Sequence, residues 1–364
     1  MMRKFLIDYS KLFDIFRDKY ASLSYSRPSG EAFVPLRYFL ELTYRCNLNC
    51  PYCYVGENKL QEELTLEEWK NVMEQIPRYA FITLVGGEPL LRQDFKEILH
   101  LASRRVYGKL NVVTNGVLLS DEMTEAFIKS KTMLLSVLLD GWGETHDKNR
   151  RREGLFDTVI SNLEKIKSLK KRPMVDIKTI ILKNNLEDLP KLYKYCSESG
   201  FEFFSLSFLR NNNLKQNSCL REEFGAEFYE NAYPVRQYFD MRTFERIYRE
   251  LLEISKTSKT KIRFSPKFEN SEGSIVLNIK KFFTESGDKP PKDLYYPCKY
   301  PYSNMIINPS GDAYPCLSVK MGNIKQMKLV EAFNTQEFCH FRKNLRTSGT
   351  FSACQMCCEL TPYA

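Results

Sequence analysis

Histidine is scarce in this chain: only His100, His146 and His340 occur among 364 residues, against eleven cysteines. Long apolar runs are missing as well. Met1 to Tyr20 interleaves charges with its apolar residues every two or three positions, so it reads as an amphipathic helix, too charged for a signal-peptide core or a membrane span. Without a secretory signal, so many cysteines point to a reducing compartment where thiols serve metals or catalysis, and the expected location is cytoplasmic. No RNA-binding module is legible at either end. The formal charge of +9 comes from Lys and Arg that alternate with Asp and Glu along most helical stretches. The densest basic patch, Lys148-Asn149-Arg150-Arg151-Arg152, reads as a solvated face or as a contact for nucleic acid or acidic peptide, the solvated face being favoured. Neither a membrane nor nucleic acid is expected as a partner. Disorder is not indicated, because 43% hydrophobic content over this length can bury one large α/β core and a smaller appendage.

What the chain does have is cysteine at close spacing. Cys46-Asn47-Leu48-Asn49-Cys50-Pro51-Tyr52-Cys53 places three thiols within eight residues, as C-x3-C-x2-C, directly after the apolar run Tyr38 to Thr43. Disulfides need particular geometry and an oxidising compartment, so a metal is the better reading. A structural zinc site wants a fourth ligand, and no histidine lies nearby to supply it. An iron-sulfur cluster is held by thiolates, and three of them around a four-iron cube leave one iron open to a substrate or cofactor.

From Tyr38 onward a short apolar run, a polar or glycine-bearing turn and an amphipathic helical stretch recur. Strands are expected at Tyr38 to Thr43, Phe81 to Val85, Leu110 to Val113, Met133 to Leu139, Val175 to Leu182 and Phe201 to Leu209. Helices are expected from Thr65, where Thr65-Leu66-Glu67-Glu68 forms a capping box, over Asp94 to Arg105, from Ser120, over Leu155 to Lys170, and up to Ser199. Six βα units without hairpin signals between them predict a parallel sheet wound as a barrel or open arc. The cysteine loop, Gly86-Gly87-Glu88-Pro89, Asn115 and Asp140 all follow strand ends, the face that carries chemistry in parallel barrels, and should converge on one mouth. Past Arg210 the pattern changes to a polar loop over Asn211 to Cys219, a long helical region over Glu222 to Lys256 broken near Pro234, a strand at Lys261 to Phe264 and a helix over Ser274 to Thr284.

A second cysteine set follows. Cys298 and Cys316 flank a hairpin signature, Met305 to Tyr314 with a Pro-Ser-Gly-Asp turn, and Cys354-Gln355-Met356-Cys357-Cys358 comes later. Four thiolates are a complete shell for an iron-sulfur cluster and equally for a zinc ribbon.

The first cysteine stretch, with a strand before it and a βα series after it, resembles the cluster motif of the radical S-adenosylmethionine (radical SAM) superfamily. The C-terminal cysteines resemble the auxiliary-cluster region of its SPASM and twitch type, so the resemblance spans Tyr38 to Cys358. It implies an α/β fold, a partial (β/α)6 TIM-like barrel with a small C-terminal cysteine-rich hairpin domain. The expected divisions are an N-terminal helical extension at 1–37, the radical SAM core at 38–210, a helical bridging region at 211–285 and the auxiliary-cluster domain at 286–364. By the same resemblance Cys46, Cys50 and Cys53 hold a [4Fe-4S] cluster whose fourth iron is chelated by SAM, and Cys298, Cys316, Cys354 and Cys357 hold one auxiliary [4Fe-4S] cluster, with Cys358 as an alternative to Cys357. Full SPASM regions continue into further cysteines, whereas this sequence stops at Ala364, so the shorter twitch arrangement is expected.

The resemblance also supplies a SAM site. Tyr52 lies beside the adenine; Gly86, Gly87, Glu88 and Pro89 match the GGEP motif that binds the SAM amino group; Asn115 hydrogen-bonds SAM or merely forms its turn; Ser136 and Asp140 face the ribose and the mouth. His146, Asp147 and Arg150 continue the pattern without a transferable role, and Asn185 fits a recurrent asparagine or a helix cap. A reduced cluster then cleaves SAM to a 5′-deoxyadenosyl radical that abstracts hydrogen from an unactivated C–H bond, and the auxiliary cluster accepts a second electron. The substrate is a peptide or a small molecule such as an aminocyclitol or sugar, and an electron donor such as flavodoxin or ferredoxin is implied. About 37 residues precede the first strand, too few for a peptide-recognition domain of ordinary size, which leans toward a small molecule or a peptide delivered by a separate protein. Asp140, Cys219, Tyr302 and Asp312 are open candidates for a substrate base, while Cys196 and Cys339 read as packing cysteines. The rival readings are a nucleic-acid-modifying member of the superfamily and a non-catalytic zinc or iron-sulfur scaffold or electron carrier.

Overall fold

Runs rich in β-branched and aromatic residues form the six strands in the expected order: β1 (Arg37–Glu41), β2 (Phe81–Val85), β3 (Leu110–Thr114), β4 (Leu134–Leu138), β5 (Met174–Ile181) and β6 (Phe203–Phe208). The computed structural model describes residues 15–53, 55, 62–208, 240–267, 278–279, 295–316, 320–351, 354, 357 and 359–361. The first part of the amphipathic helix, the loop through Cys219, the break near Pro234, most of Ser274 to Thr284, and Cys358 lie outside the described residues.

Between the strands run α2 (Leu66–Gln75), α3 (Phe95–Arg105), α4 (Asp121–Lys129), α5 (Glu144–Arg150), α6 (Leu155–Ser168) and α7 (Leu189–Glu198), after an α1 described over residues 15–25. Their starts follow from side-chain chemistry: Thr65 and Glu68 close the reciprocal capping box on α2, and the Ser120 hydroxyl accepts from the Met123 N–H on α4. Neighbouring strands from β1 to β6 pair in parallel, as right-handed βα crossovers require.

Two strands extend this sheet beyond the six. β7 (Lys261–Ser265) follows α8 (Met241–Ser255) and pairs in parallel with β6. At the other edge β8 (Asn304–Ile307) pairs in parallel with β1, with Arg37 opposite Asn304 and Leu40 opposite Ile307. It turns into β9 (Asp312–Tyr314), and β10 (Gly322–Asn323) completes the order β10-β9-β8-β1-β2-β3-β4-β5-β6-β7. The C-terminal hairpin is thus hydrogen-bonded into the core sheet as the direct neighbour of β1.

The C-terminal helices α9 (Leu329–Ala332) and α10 (Gln336–Ser348) carry the anchor for the N-terminal segment. Arg342, fully buried, donates to the carbonyls of Gly30 and Pro301 and lies between the rings of Phe338 and Phe333 at 3.8 and 4.2 Å. Burial without a carboxylate partner pulls its pKa down to about 9. Among the described residues no helix is long and apolar enough to cross a membrane.

One alternation governs the sheet. Leu135, Val137, Ile177, Phe204 and Leu206 turn toward the helices and join the core, with Phe204 stacked on Tyr193 of α7 at 5.6 Å between ring centroids. The residues between them face the concave side.

Because β8 shares hydrogen bonds with β1, the reconstituted protein should unfold in one calorimetric transition. Ile307→Ala, at a fully buried position, is expected to lower that single transition by about 2–5 kcal/mol. A separate low-temperature peak for the C-terminal region would contradict the shared sheet.

Candidate active site

The site begins where β1 ends. The loop from Leu42 to Leu64 carries Cys46, Cys50 and Cys53, and its two ends are held by one side chain: Arg92, 7% exposed, donates to Leu42 O and Leu64 O, both at 3.0 Å. Asp94 fixes the same guanidinium through two bonds of 2.8 and 2.7 Å, and Glu63 accepts from both Arg92 and Arg45. The Leu64 N–H reaches across to Pro309 O of the β8–β9 turn at 2.7 Å, so the cysteine loop is pinned to the hairpin as well. None of Arg92, Glu63 and Asp94 carried a signal in the sequence.

At the end of β2, Gly86 adopts φ +151°, and a Cβ there would lie 2.3 Å from Thr43 O; one on Gly87 would lie 2.4 Å from Arg45 O. The glycines are therefore required by the close passage of the cysteine loop. The Gly87 and Glu88 N–H groups donate to those same two carbonyls at 2.7 and 2.9 Å. Pro89 opens a short 3-10 turn. Glu88 is fully buried, and its carboxylate accepts from Asn115 N at 2.7 Å, Thr114 Oγ1 at 2.8 Å and Leu90 N at 3.2 Å. Burial pushes its pKa up to about 7 against these donors. Asn115 forms its turn, its Oδ1 accepting from Val117 N, while its amide donates to Asn47 Oδ1 at 2.7 Å and stands 3.9 Å from Cys46 Sγ.

Beyond β4, Asp140 forms a hub. It is fully buried, accepting from Tyr52 Oη at 2.6 Å, pairing with Arg150 Nη2 at 2.5 Å and taking the Ile180 N–H at 2.7 Å. Three donors thus converge on its two oxygens. Arg150 extends to Cys50 Sγ at 3.6 Å. Burial alone would lower its pKa, yet Asp140, Tyr52 and Cys50 beside it hold the guanidinium above its ordinary value. His146 accepts the Asp140 N–H on Nδ1 at 3.0 Å, and its buried Nε2 has no partner among the described residues. Burial, followed by the Arg150 charge, drags its pKa down to about 4. Asn149 and Asn185 both donate to Asp140 O, at 2.6 and 3.2 Å. Asn185 stands at the N-cap position of the 3-10 turn Leu186–Asp188 without a capping bond from its side chain.

Other expected residues lie elsewhere. Ser136 sits lower on β4 and donates to Asp176 at 3.4 Å rather than reaching the strand ends. Tyr302 precedes β8, at the opposite end of the sheet from the cysteine loop, fully buried with its hydroxyl donating to Arg342 O and its pKa pushed by burial up to about 12. Asp312 opens β9 just after the hairpin turn, paired with Lys320 and Asn323, both at 2.7 Å. Cys196 is a fully buried packing residue, as expected.

The nine described cysteines stand as thiols. Burial raises the pKa of Cys46 and of Cys50, with the Arg150 charge opposing the rise at Cys50. At the second set burial raises Cys298 well above its ordinary value, and the charges of Cys354, Cys357 and Cys316 add to the rise. Both sets are thus half-buried sulfur donors of the kind a bound metal centre holds as thiolates. Among the described residues no group of three or more His, Cys, Asp or Glu side chains closes around a single metal ion.

His146 gives a pH test. Its native pKa lies below the unfolded value, so protons bind the unfolded chain preferentially between about 6.5 and 4, and its contribution to stability rises with pH across that window by about 3 kcal/mol. The stability difference between the natural chain and His146→Gln, from urea midpoints, should grow with pH over that interval; a constant difference would contradict the buried neutral imidazole. Arg92→Met should cost about 3–5 kcal/mol and lower iron retention at the first cysteine set selectively, measured by iron content and EPR.

The chain matches two family models, the radical SAM superfamily over residues 40–196 and the SPASM iron-sulfur cluster-binding domain over 298–358. It is 32% identical over 179 residues to the sporulation killing factor maturation protein SkfB of Bacillus subtilis, covering 48% of this chain and 43% of that protein. It is 27% identical over 334 residues to the AdoMet-dependent heme synthase of Methanosarcina barkeri, covering 87% and 86%. Its fold is shared with Streptococcus suis SuiB bound to its precursor peptide SuiA, at a TM-score of 0.61 and 15% identity over 83% of this chain and 65% of that one. The chain therefore spans less than half of SkfB and just under two thirds of SuiB. With both models placed on the two cysteine regions, the chain belongs to the radical SAM superfamily and carries a SPASM domain, which implies SAM, its [4Fe-4S] cluster and auxiliary iron-sulfur binding.

Proposed function

We propose that this chain is a radical SAM oxidoreductase acting on a C–H bond of a peptide or small organic substrate, with Cys46, Cys50 and Cys53 as ligands of the SAM-binding cluster and Cys298, Cys316, Cys354 and Cys357 as ligands of one auxiliary [4Fe-4S] cluster. The observation that carries this reading is the joining of Cys46 to Asn115 and of Cys50 to Arg150, Asp140 and Tyr52 at one end of the sheet. When bound, the cofactors supply reductive cleavage of SAM, hydrogen abstraction and an acceptor for the second electron of a net two-electron oxidation.

The chain's own residues do the positioning. Arg150 and Asn115 aim N–H groups at two of the three thiols, and donors to sulfur favour the thiolate form and raise cluster potential. Gly86 and Gly87 bring the GGEP turn against the backbone of Thr43 to Arg45 at the start of the cysteine loop. Burial of Glu88, Asp140 and Arg150 keeps water from the base of the site. A peptide substrate is supported by the maturation role in the name of SkfB and by the precursor peptide in the SuiB complex. A flavodoxin or ferredoxin would donate electrons, in the cytoplasm.

Anaerobic reconstitution tests the assignment. About eight irons per chain are expected, with SAM perturbing the EPR signal of one cluster only. Cys50→Ala should lose about half the iron and all 5′-deoxyadenosine formation from SAM and reductant, whereas Cys316→Ala should lose about half the iron and keep it. Zinc at the second set, or no 5′-deoxyadenosine from the loaded protein, would contradict the proposal.

A further inference from the structure

The densest basic stretch of the sequence, Lys148 to Arg152, is only partly used by the mouth. Arg150 turns inward, buried, with Nη1 3.6 Å from Cys50 Sγ. The two residues that follow turn outward. Arg151 and Arg152 are exposed, and neither side chain makes an ion pair or a hydrogen bond among the described residues. Their backbone is fixed all the same: Arg151 ends α5 in the left-handed conformation at φ +55°, donating its N–H to Asp147 O and Lys148 O, and the Arg152 N–H reaches Asp147 O at 3.0 Å. Glycine or asparagine takes that conformation at less cost, so a long cation is kept there against local preference.

A third cation comes from another element. Lys183, in the turn after β5, is exposed and unpaired among the described residues, and that turn is tied to α5 by Asn184 Nδ2, which donates to Asn149 Oδ1 at 2.8 Å. A helix C-terminus favours cations through its own dipole, but Lys183 lies outside that helix. The nearby carboxylates do not neutralise the three cations. Glu144 pairs with Lys148, Asp147 accepts from Gly154 N and Phe156 N, Glu187 pairs with Arg246, and Glu153 faces solvent. One side chain separates this surface from the first cysteine set, since the Arg150 backbone adjoins Arg151 and its guanidinium meets the Cys50 sulfur. A substrate must enter the concave side of the sheet, whereas a partner resting on the end of α5 gains nearness to Cys50. Nearness serves electron delivery, and encounters of that kind are brief, bury little surface and are steered by charge.

We infer that Arg151, Arg152 and Lys183 form the docking surface for an acidic one-electron carrier protein, which lies over Arg150 and reduces the cluster of the first cysteine set. This rests on the ligand assignment and the electron-donor reading above, and gives that donor a place on the chain. No atom is transferred: the carrier is oxidised by one electron and the cluster is reduced by one.

The test uses the reconstituted full chain and two acidic carriers as probes, a flavodoxin and a ferredoxin, each reduced beforehand. Stopped-flow absorbance gives the second-order rate of cluster reduction, and calorimetric titration with the oxidised carriers gives affinity. For at least one carrier the rate should fall about tenfold between about 25 and about 250 mM salt. The double variant Arg152→Glu/Lys183→Glu, which leaves Arg150 and the left-handed Arg151 untouched, should lower rate and affinity by about tenfold, while Arg152→Lys/Lys183→Arg keeps both. Reduction by the methyl viologen radical, a small cation with no need of the patch, should stay within about twofold. Circular dichroism and iron content check that the variants are folded and loaded. Reduction by neither carrier, a carrier rate indifferent to the charge reversal, an equal loss with methyl viologen, or tighter binding of a single-stranded RNA oligonucleotide than of either carrier overturns the inference. Absent clusters, or no 5′-deoxyadenosine with a chemical reductant, would strike the proposed reaction, whereas normal chemical reduction beside an indifferent carrier rate strikes only this surface.

Discussion

The ion pair between Asp140 and Arg150 is the constraint on which the mouth depends. It joins the end of β4 to β5 through Ile180, to the cysteine loop through Tyr52 and Cys50, and to α5 through His146 and Asn149. Desolvating two charges is unfavourable in itself, and that cost is offset by three donors converging on the carboxylate's two oxygens. Loss of one partner would strand the other in a site with no water, so the geometry is held as a unit rather than contact by contact.

A second constraint lies in the frame. β1 is flanked by β2 and β8, so the strand that launches the first cysteine loop also supports the hairpin between Cys298 and Cys316. Arg92 clamps the loop's ends, and the Leu64–Pro309 bond ties its exit to the hairpin turn. Ordering a loop of this length costs conformational entropy that local propensity does not offset. Burial of Leu48, Val55 and Leu64 together with buried polar staples supplies the compensation, which is why charged residues recur beside core residues here.

Much of this was legible in the sequence because periodicity and thiol spacing are local signals. Phe81 to Val85 matched β2 residue for residue, the other strand ends moved by a residue or two, and the Thr65 capping box formed as read. Convergence of the cysteine loop, Glu88, Asn115 and Asp140 followed from strand ends alone. Non-local pairings were not legible. Nothing in Asn304–Ile307 announces β1 as its partner, so a hairpin read as part of a separate small domain proved continuous with the core sheet. The surroundings of single polar residues were not legible where burial decides them: Glu88 and Asp140 accept from protein donors, Ser136 donates to Asp176, and Tyr302 lies at the opposite end of the sheet. Arg92 had no motif to mark it, because its partners are backbone carbonyls supplied by distant segments.

The central claim is that the three-thiol set leaves one iron open at this mouth while the four-thiol set leaves none. Electron-nuclear double resonance on the reduced protein with SAM labelled by nitrogen-15 at its amino group reads this directly. The account predicts nitrogen coupling to a single cluster, abolished in Cys46→Ala and retained in Cys316→Ala. Coupling that survives Cys46→Ala, or that disappears only with Cys316→Ala, would contradict it.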